Sequence, residues 1–139
     1  MTGEKDLKNL IAHMRPMLDP EQYVFCTFAE RDMASLSAFR PVALMAETEG
    51  VTAVLPADEA RKLGIADADW YRRITLTVHS SLEAVGLTAA VSKALAEAGI
   101  PANVIAAYFH DHVFVPDSMA ATAMEKLRQL TENAAASED

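Results

Sequence analysis

The sequence is short of cysteine, of basic charge and of long apolar runs, and each shortage removes a class of protein. Among its 139 residues there is one cysteine, Cys26, so no intrachain disulfide framework can form. Cys26 lies in the apolar run Tyr23-Val24-Phe25-Cys26-Thr27-Phe28, where a free thiol is expected as a small core residue and not as a nucleophile. Twelve basic residues face twenty acidic ones, a net charge of −8. That field repels phosphate backbones, and no Lys/Arg cluster interleaved with aromatics offsets it, so nucleic acid is not an expected partner. The longest apolar stretches fall far short of the roughly 20 residues of a membrane helix, and no membrane partner is expected. Residues Met1 to Asp6 show no basic segment followed by an apolar block, as a signal peptide would. The expected location is the cytoplasm.

What is present suits a soluble globular protein: 51% hydrophobic and 23% charged residues. A chain of this length buries roughly 68% of its extended surface, so a core needs no disulfide or structural metal. Asp6 to Met14 sets Leu7, Leu10, Ile11 and Met14 at helical spacing, and Pro16 with Leu18-Asp19-Pro20 is expected to end that helix. Tyr23 to Phe28 reads as a strand and residues 29–41 as a loop. Val42 to Glu47 and Val51 to Leu55 flank Glu49-Gly50, the pattern of a hairpin. Pro56 then opens a short helix through Leu63, with Gly64 just past its end. In the second half, Ile74, Leu76 and Val78 alternate with polar residues as in a half-buried strand. Leu87, Val91, Ala94, Leu95 and Ala98 form one face of a helix stopping at Gly99. Asn103 to Phe109 and His112 to Val115 read as strands joined by a tight turn at His110-Asp111. After Pro116 a last helix turns Ala120, Ala123, Met124, Leu127 and Leu130 inward, before a small, acidic tail.

Lined up, these elements show an internal repeat. Val54-Leu55-Pro56-Ala57-Asp58 recurs as Phe114-Val115-Pro116-Asp117-Ser118, and the helix-to-strand passage Leu18 to Phe28 is matched with Gly99 to Phe109. The implied organisation is two αβ units, 1–69 and 70–139, with Trp70 to His79 as a strand they share.

A strand, a helix and an antiparallel hairpin in that order bring the loop His79 to Val85 and the turn His110-Asp111 to the same sheet edge. Backbone N–H groups starting the helix near Val85 and Gly86 point there and offer an anion or carboxylate site, and Gly86 leaves room for close approach. Two starts are open. Ser80 and Glu83 form a capping box if the helix begins early; if it begins after Gly86, Ser80, Ser81 and Glu83 are loop groups able to meet a ligand. His79, His110, Asp111 and His112 are possible ligand contacts. Their spacing is compatible with a metal, but no third placed ligand, His-Glu-x-x-His or cysteine pair accompanies them; no metal and no cofactor are expected. Asn103 either bonds edge backbone or faces a ligand. Nucleophile elbows and Gly-rich phosphate loops are missing, so catalysis is not expected.

The stretch from Ile74 through Pro116 resembles the ACT domain: a strand, a loop ending in Gly86-Leu87, a helix finishing Ala98-Gly99-Ile100, then a hairpin. The whole chain looks like short stand-alone bacterial proteins with two ACT-like units in tandem, similar to the regulatory ACT pair of aspartate kinases. The resemblance implies an α+β, ferredoxin-like sandwich, antiparallel sheets with helices on one face. It also implies allosteric binding of small molecules, usually amino acids, between paired units. Carried over, the binding loop is Ser80, Ser81, Glu83, Val85, Gly86 and Leu87, and the facing strand begins at Asn103, Val104 and Ile105. Family members often have Asp and Pro before the glycine, where this chain has Glu83, Ala84 and Val85. A homodimer or a regulated protein is the expected partner. The competing readings are a structural interaction module with an empty site, and a His-based metal-dependent enzyme.

Overall fold

A computed structural model describes residues 6–79 and 85–136. The chain divides into two compact units, a continuous one, Pro20–Tyr71, and a split one, Met1–Asp19 with Arg72–Asp139.

The continuous unit is built on strand β1 (Pro16–Phe28), which enters it at Pro20, together with β2 (Ala43–Glu47) and β3 (Gly50–Pro56), in the order β2-β3-β1. β3 runs antiparallel to both neighbours, with Cys26 opposite Ala53 and Glu47 opposite Gly50. Because successive strand residues face opposite ways, Val24, Cys26, Ala53 and Leu55 share one face. There they cluster with Leu36 of helix α2 (Met33–Leu36) and Ala60 of α3 (Ala57–Lys62). The hairpin turn is Thr48-Glu49, and Gly50 follows it at φ 151°. A Cβ at Gly50 would stand 2.6 Å from the Phe28 carbonyl oxygen, a contact no side chain can make. Among the described residues, the charged group inside this unit is Glu59, 4% exposed. Arg40 Nε at 3.4 Å and Lys62 Nζ at 3.0 Å donate to its carboxylate, as a buried charge requires.

The split unit holds α1 (Leu7–Ala12), the first residues of β1, β4 (Tyr71–Leu76) from Arg72 on, α4 (Leu87–Glu97), β5 (Asn103–Ala106), β6 (Asp111–Pro116) and α5 (Ala120–Ala136). Its strand order is β1-β4-β6-β5. Leu10 and Met14 join Ile74, Leu76, Leu87, Val91, Leu95, Val113, Val115 and Leu127 in one core, so the helices cover one face of the sheet. The N-terminal segment is fastened to β4 by polar contacts. The Thr77 N–H donates to the Met14 carbonyl at 2.8 Å. Arg72 donates through Nε and Nη2 to the Asp19 carbonyl at 3.0 and 2.9 Å, and Arg73 Nη2 lies 2.9 Å from Asp19 Oδ2.

The proline at each strand-to-helix passage has the same conformation: Pro56 at φ −60°, ψ 149° and Pro116 at φ −53°, ψ 139°. Pro116 opens on a 3₁₀ turn, Asp117–Met119, before α5. β2 and β5 are the hairpin mates of β3 and β6, which makes β2, and not the expected Leu18 to Phe28, the counterpart of β5.

Three other expectations differ from the structure. β1 starts at Pro16 and runs straight through Leu18-Asp19-Pro20, because proline is tolerated at a strand's first residue or where no ladder donor is needed. Residues 29–41 contain α2 and the 3₁₀ turn Ser37–Phe39, started by Asp32, whose Oδ1 accepts the Ser35 N–H at 2.8 Å. The β5–β6 turn lies two residues earlier than expected: the Ala107 N–H donates to the His110 carbonyl at 3.0 Å, leaving Tyr108-Phe109 at the tip. Residues up to Asp19 group in space with the C-terminal segment.

Candidate functional site

Within the split unit, the segment just past β4 meets the β5–β6 turn. His110 Nδ1 lies 3.5 Å from the Val78 carbonyl, and the His79 and Phe109 rings are 5.5 Å apart. Ser80, Ser81 and Glu83 lie outside the described residues, as does the capping box they would form. α4 starts at Leu87, with Gly86 as its N-cap residue at φ 100°, the later of the two starts. A Cβ at Gly86 would stand 2.9 Å from Leu7 Cδ2. The close approach that glycine permits there is therefore made by a side chain of α1.

The remaining sequence-derived residues divide by position. Val85 is 83% exposed, and Tyr108 and Phe109 at the turn tip are 67% and 60% exposed. Leu87 points into the core of its unit, so only its backbone is available to a ligand. Val104 packs against that core while Ile105 pairs with His112 on the neighbouring strand. Asn103 Nδ2 donates to the Phe114 carbonyl at 3.4 Å across the hairpin, the first of the two roles open to it.

The histidines are held separately. His112 Nδ1 is 2.9 Å from the Thr75 hydroxyl on β4, while His110 faces the Val78 carbonyl. Burial lowers the His112 pKa, helped by the nearby charges of Arg73 and His110. Burial raises that of Asp111, with His110 opposing. Among the described residues no three His, Cys, Asp or Glu side chains are grouped to hold a metal ion. Sequence reasoning missed two participants, Leu7 over Gly86 and Thr75 beside His112. The alternation of β4 places Thr75 on the outer face, and that was the available signal for it. Nothing local connects Leu7 with Gly86.

Two family models described as ACT domains match the chain, over residues 2–72 and 71–129. The chain belongs to the ACT-domain family, with two such domains in tandem, and its fold is the ferredoxin-like ACT sandwich. ACT domains are regulatory, ligand-binding modules and not catalytic ones. A Vibrio cholerae protein of unknown function, described as a possible transport protein, is 47% identical. It has a TM-score of 0.79, and the match covers 91% of this chain and 96% of that one. The structure of aspartokinase alpha and beta subunits is similar in fold at 15% identity, TM-score 0.64, covering 84% of this chain and 97% of that one. So is the ligand-free regulatory subunit of aspartate kinase from Thermus thermophilus, at 13% identity and TM-score 0.57, covering 83% and 95%. No protein of curated function matches. Among the described residues no helix is long and apolar enough to cross a membrane.

Proposed function

We propose that this chain is a non-catalytic cytoplasmic regulatory protein that binds an amino acid at the passage from β4 to α4 and transmits occupancy to a second copy or to a regulated partner. The observation that supports the reading is the contact of the segment just past β4 with the β5–β6 turn, in an ACT domain whose α4 begins after Gly86. The first N–H groups of α4 suit a carboxylate, and His79 and His110 are the ring groups offered as further contacts. A ligand that binds the folded state alone raises stability by about 2.7 kcal/mol at a hundredfold excess over Kd. A thermal-shift screen of the twenty amino acids is expected to find at least one that stabilises the protein and loses its effect in Gly86→Val. Twenty flat responses at millimolar concentration would remove the reading.

The exposed pair Tyr108-Phe109, with rings 5.0 Å apart beside His79, favours a second reading, a protein-interaction module. It predicts that Tyr108→Ser with Phe109→Ser abolishes self-association or capture of a partner in light-scattering measurements while every ligand screen stays blank.

A further inference from the structure

On the helical side of the split unit, α4 and α5 leave between them a groove of about 250 Å³. Its walls on α4 include Ala94, Ala98 and Glu97, and on α5 Lys126, Leu130 and Asn133. Closely packed helices normally fill such a space with side chains; here the alanines four residues apart leave it open. Glu97 and Lys126 line it from opposite helices, and neither forms an ion pair with the other or with another described residue. Glu97 is moreover in the last turn of α4, which contains no basic residue. A carboxylate there opposes the helix macrodipole and destabilises the helix. Its charge adds to that of the helix C-terminus, so the α4 wall of the groove attracts a cation while Lys126 on the α5 wall supplies an ammonium for an anion.

We propose that the α4–α5 groove binds a small zwitterion, its ammonium on Glu97 and its carboxylate on Lys126, with Leu130 and the two alanines against its apolar part and the Asn133 amide at its edge. The volume is just below the roughly 300–1,000 Å³ typical of sites for drug-sized ligands, which sets the ligand at metabolite size. This site shares no residue with the β4–α4 end and does not depend on the function proposed above.

The test is an amide NMR titration of the full chain with each of the twenty common amino acids, followed by the N-acetyl and carboxamide forms of the best binder. Millimolar amino acid is expected to move the Ala98 and Leu130 amides. Blocking either end of the ligand, or changing Glu97→Gln or Lys126→Met, is expected to weaken binding about tenfold, the loss of one charge-assisted hydrogen bond. The charge-exchanged variant Glu97→Lys with Lys126→Glu recovers binding with the ligand reversed, which no purely structural role of the two residues would produce. Absence of shifts along α4 and α5, or equal binding of blocked and free forms, overturns the proposal. Shifts at Gly86 and His110 alone overturn it too while leaving the β4–α4 site intact.

Discussion

His112 shows how a single side chain couples this sheet to pH. Its Nδ1 is 2.9 Å from the Thr75 hydroxyl, and burial first, then the charges of Arg73 and His110, hold its pKa below the ordinary 6.5. The unfolded chain therefore takes up this proton at a higher pH than the folded one, and stability rises with pH across that window. The contribution is complete above 6.5 and is lost as pH falls from there through the folded pKa. Asp111 acts with the opposite sign: its raised pKa contributes stability below 3.8 that disappears as pH rises through the folded value. Denaturant midpoints measured from about pH 7 to about pH 5 are expected to fall in the wild type. They should fall less in His112→Asn, whose amide retains a partner for Thr75; parallel profiles would show that His112 is not the group responsible. Gly50 gives a second measurement. Gly50→Ala sets a Cβ against the Phe28 carbonyl in a backbone region costly for side chains, and about 1–3 kcal/mol of stability should be lost in equilibrium unfolding.

Helix α4 and strand β4 were readable from the sequence because burial imposes a period on them. Leu87, Val91 and Leu95 recur at helical spacing, Ile74 and Leu76 alternate with partly exposed residues, and all five are buried. The first half of β1 was not readable, since Pro16 and Pro20 carry a turn signature that pairing with neighbouring chain overrides. α2 escaped because four residues display no period; it depends on the Asp32 cap and on Leu36, fully buried among side chains distant in sequence. The β5–β6 turn was misplaced because Tyr108-Phe109 lacks the usual Gly, Asn or Asp of a tip, while His110-Asp111 resembles one. α1 is the sharpest test of what tertiary contact contributes. It is only six residues long, too short to be stable alone, yet Leu10 is fully buried in the core of the split unit. Leu10→Ala is expected to cost about 2–5 kcal/mol, as much as an equivalent change in the middle of α4, and urea unfolding of both variants compares them directly.

The candidate site was legible as far as connectivity reaches: strand β4, helix α4 and a hairpin in that order bring the end of β4 to the turn before β6. Closure over Gly86 was not, because it joins Leu7 to a position 79 residues later, and no local pattern reports such a contact. The same long-range link decides which segments can fold together. A fragment of residues 72–139 lacks Leu10, Ile11 and Met14 and so exposes the core face of α4 and α5. It also lacks Asp19, which accepts from Arg72 and Arg73. That fragment is expected to unfold without a cooperative transition. Because the Arg72 side chain reaches the Asp19 carbonyl, the two backbones are no more than an arginine side chain apart, and a Gly-Ser linker of a few residues can join Asp19 to Arg72 in place of the continuous unit. The chain 1–19, linker, 72–139 is then expected to regain a sigmoidal thermal transition and dispersed amide signals. If fragment 72–139 melts as cooperatively as the linked chain, the N-terminal residues are not part of that unit's core, and the division of the chain into a split and a continuous unit fails with it.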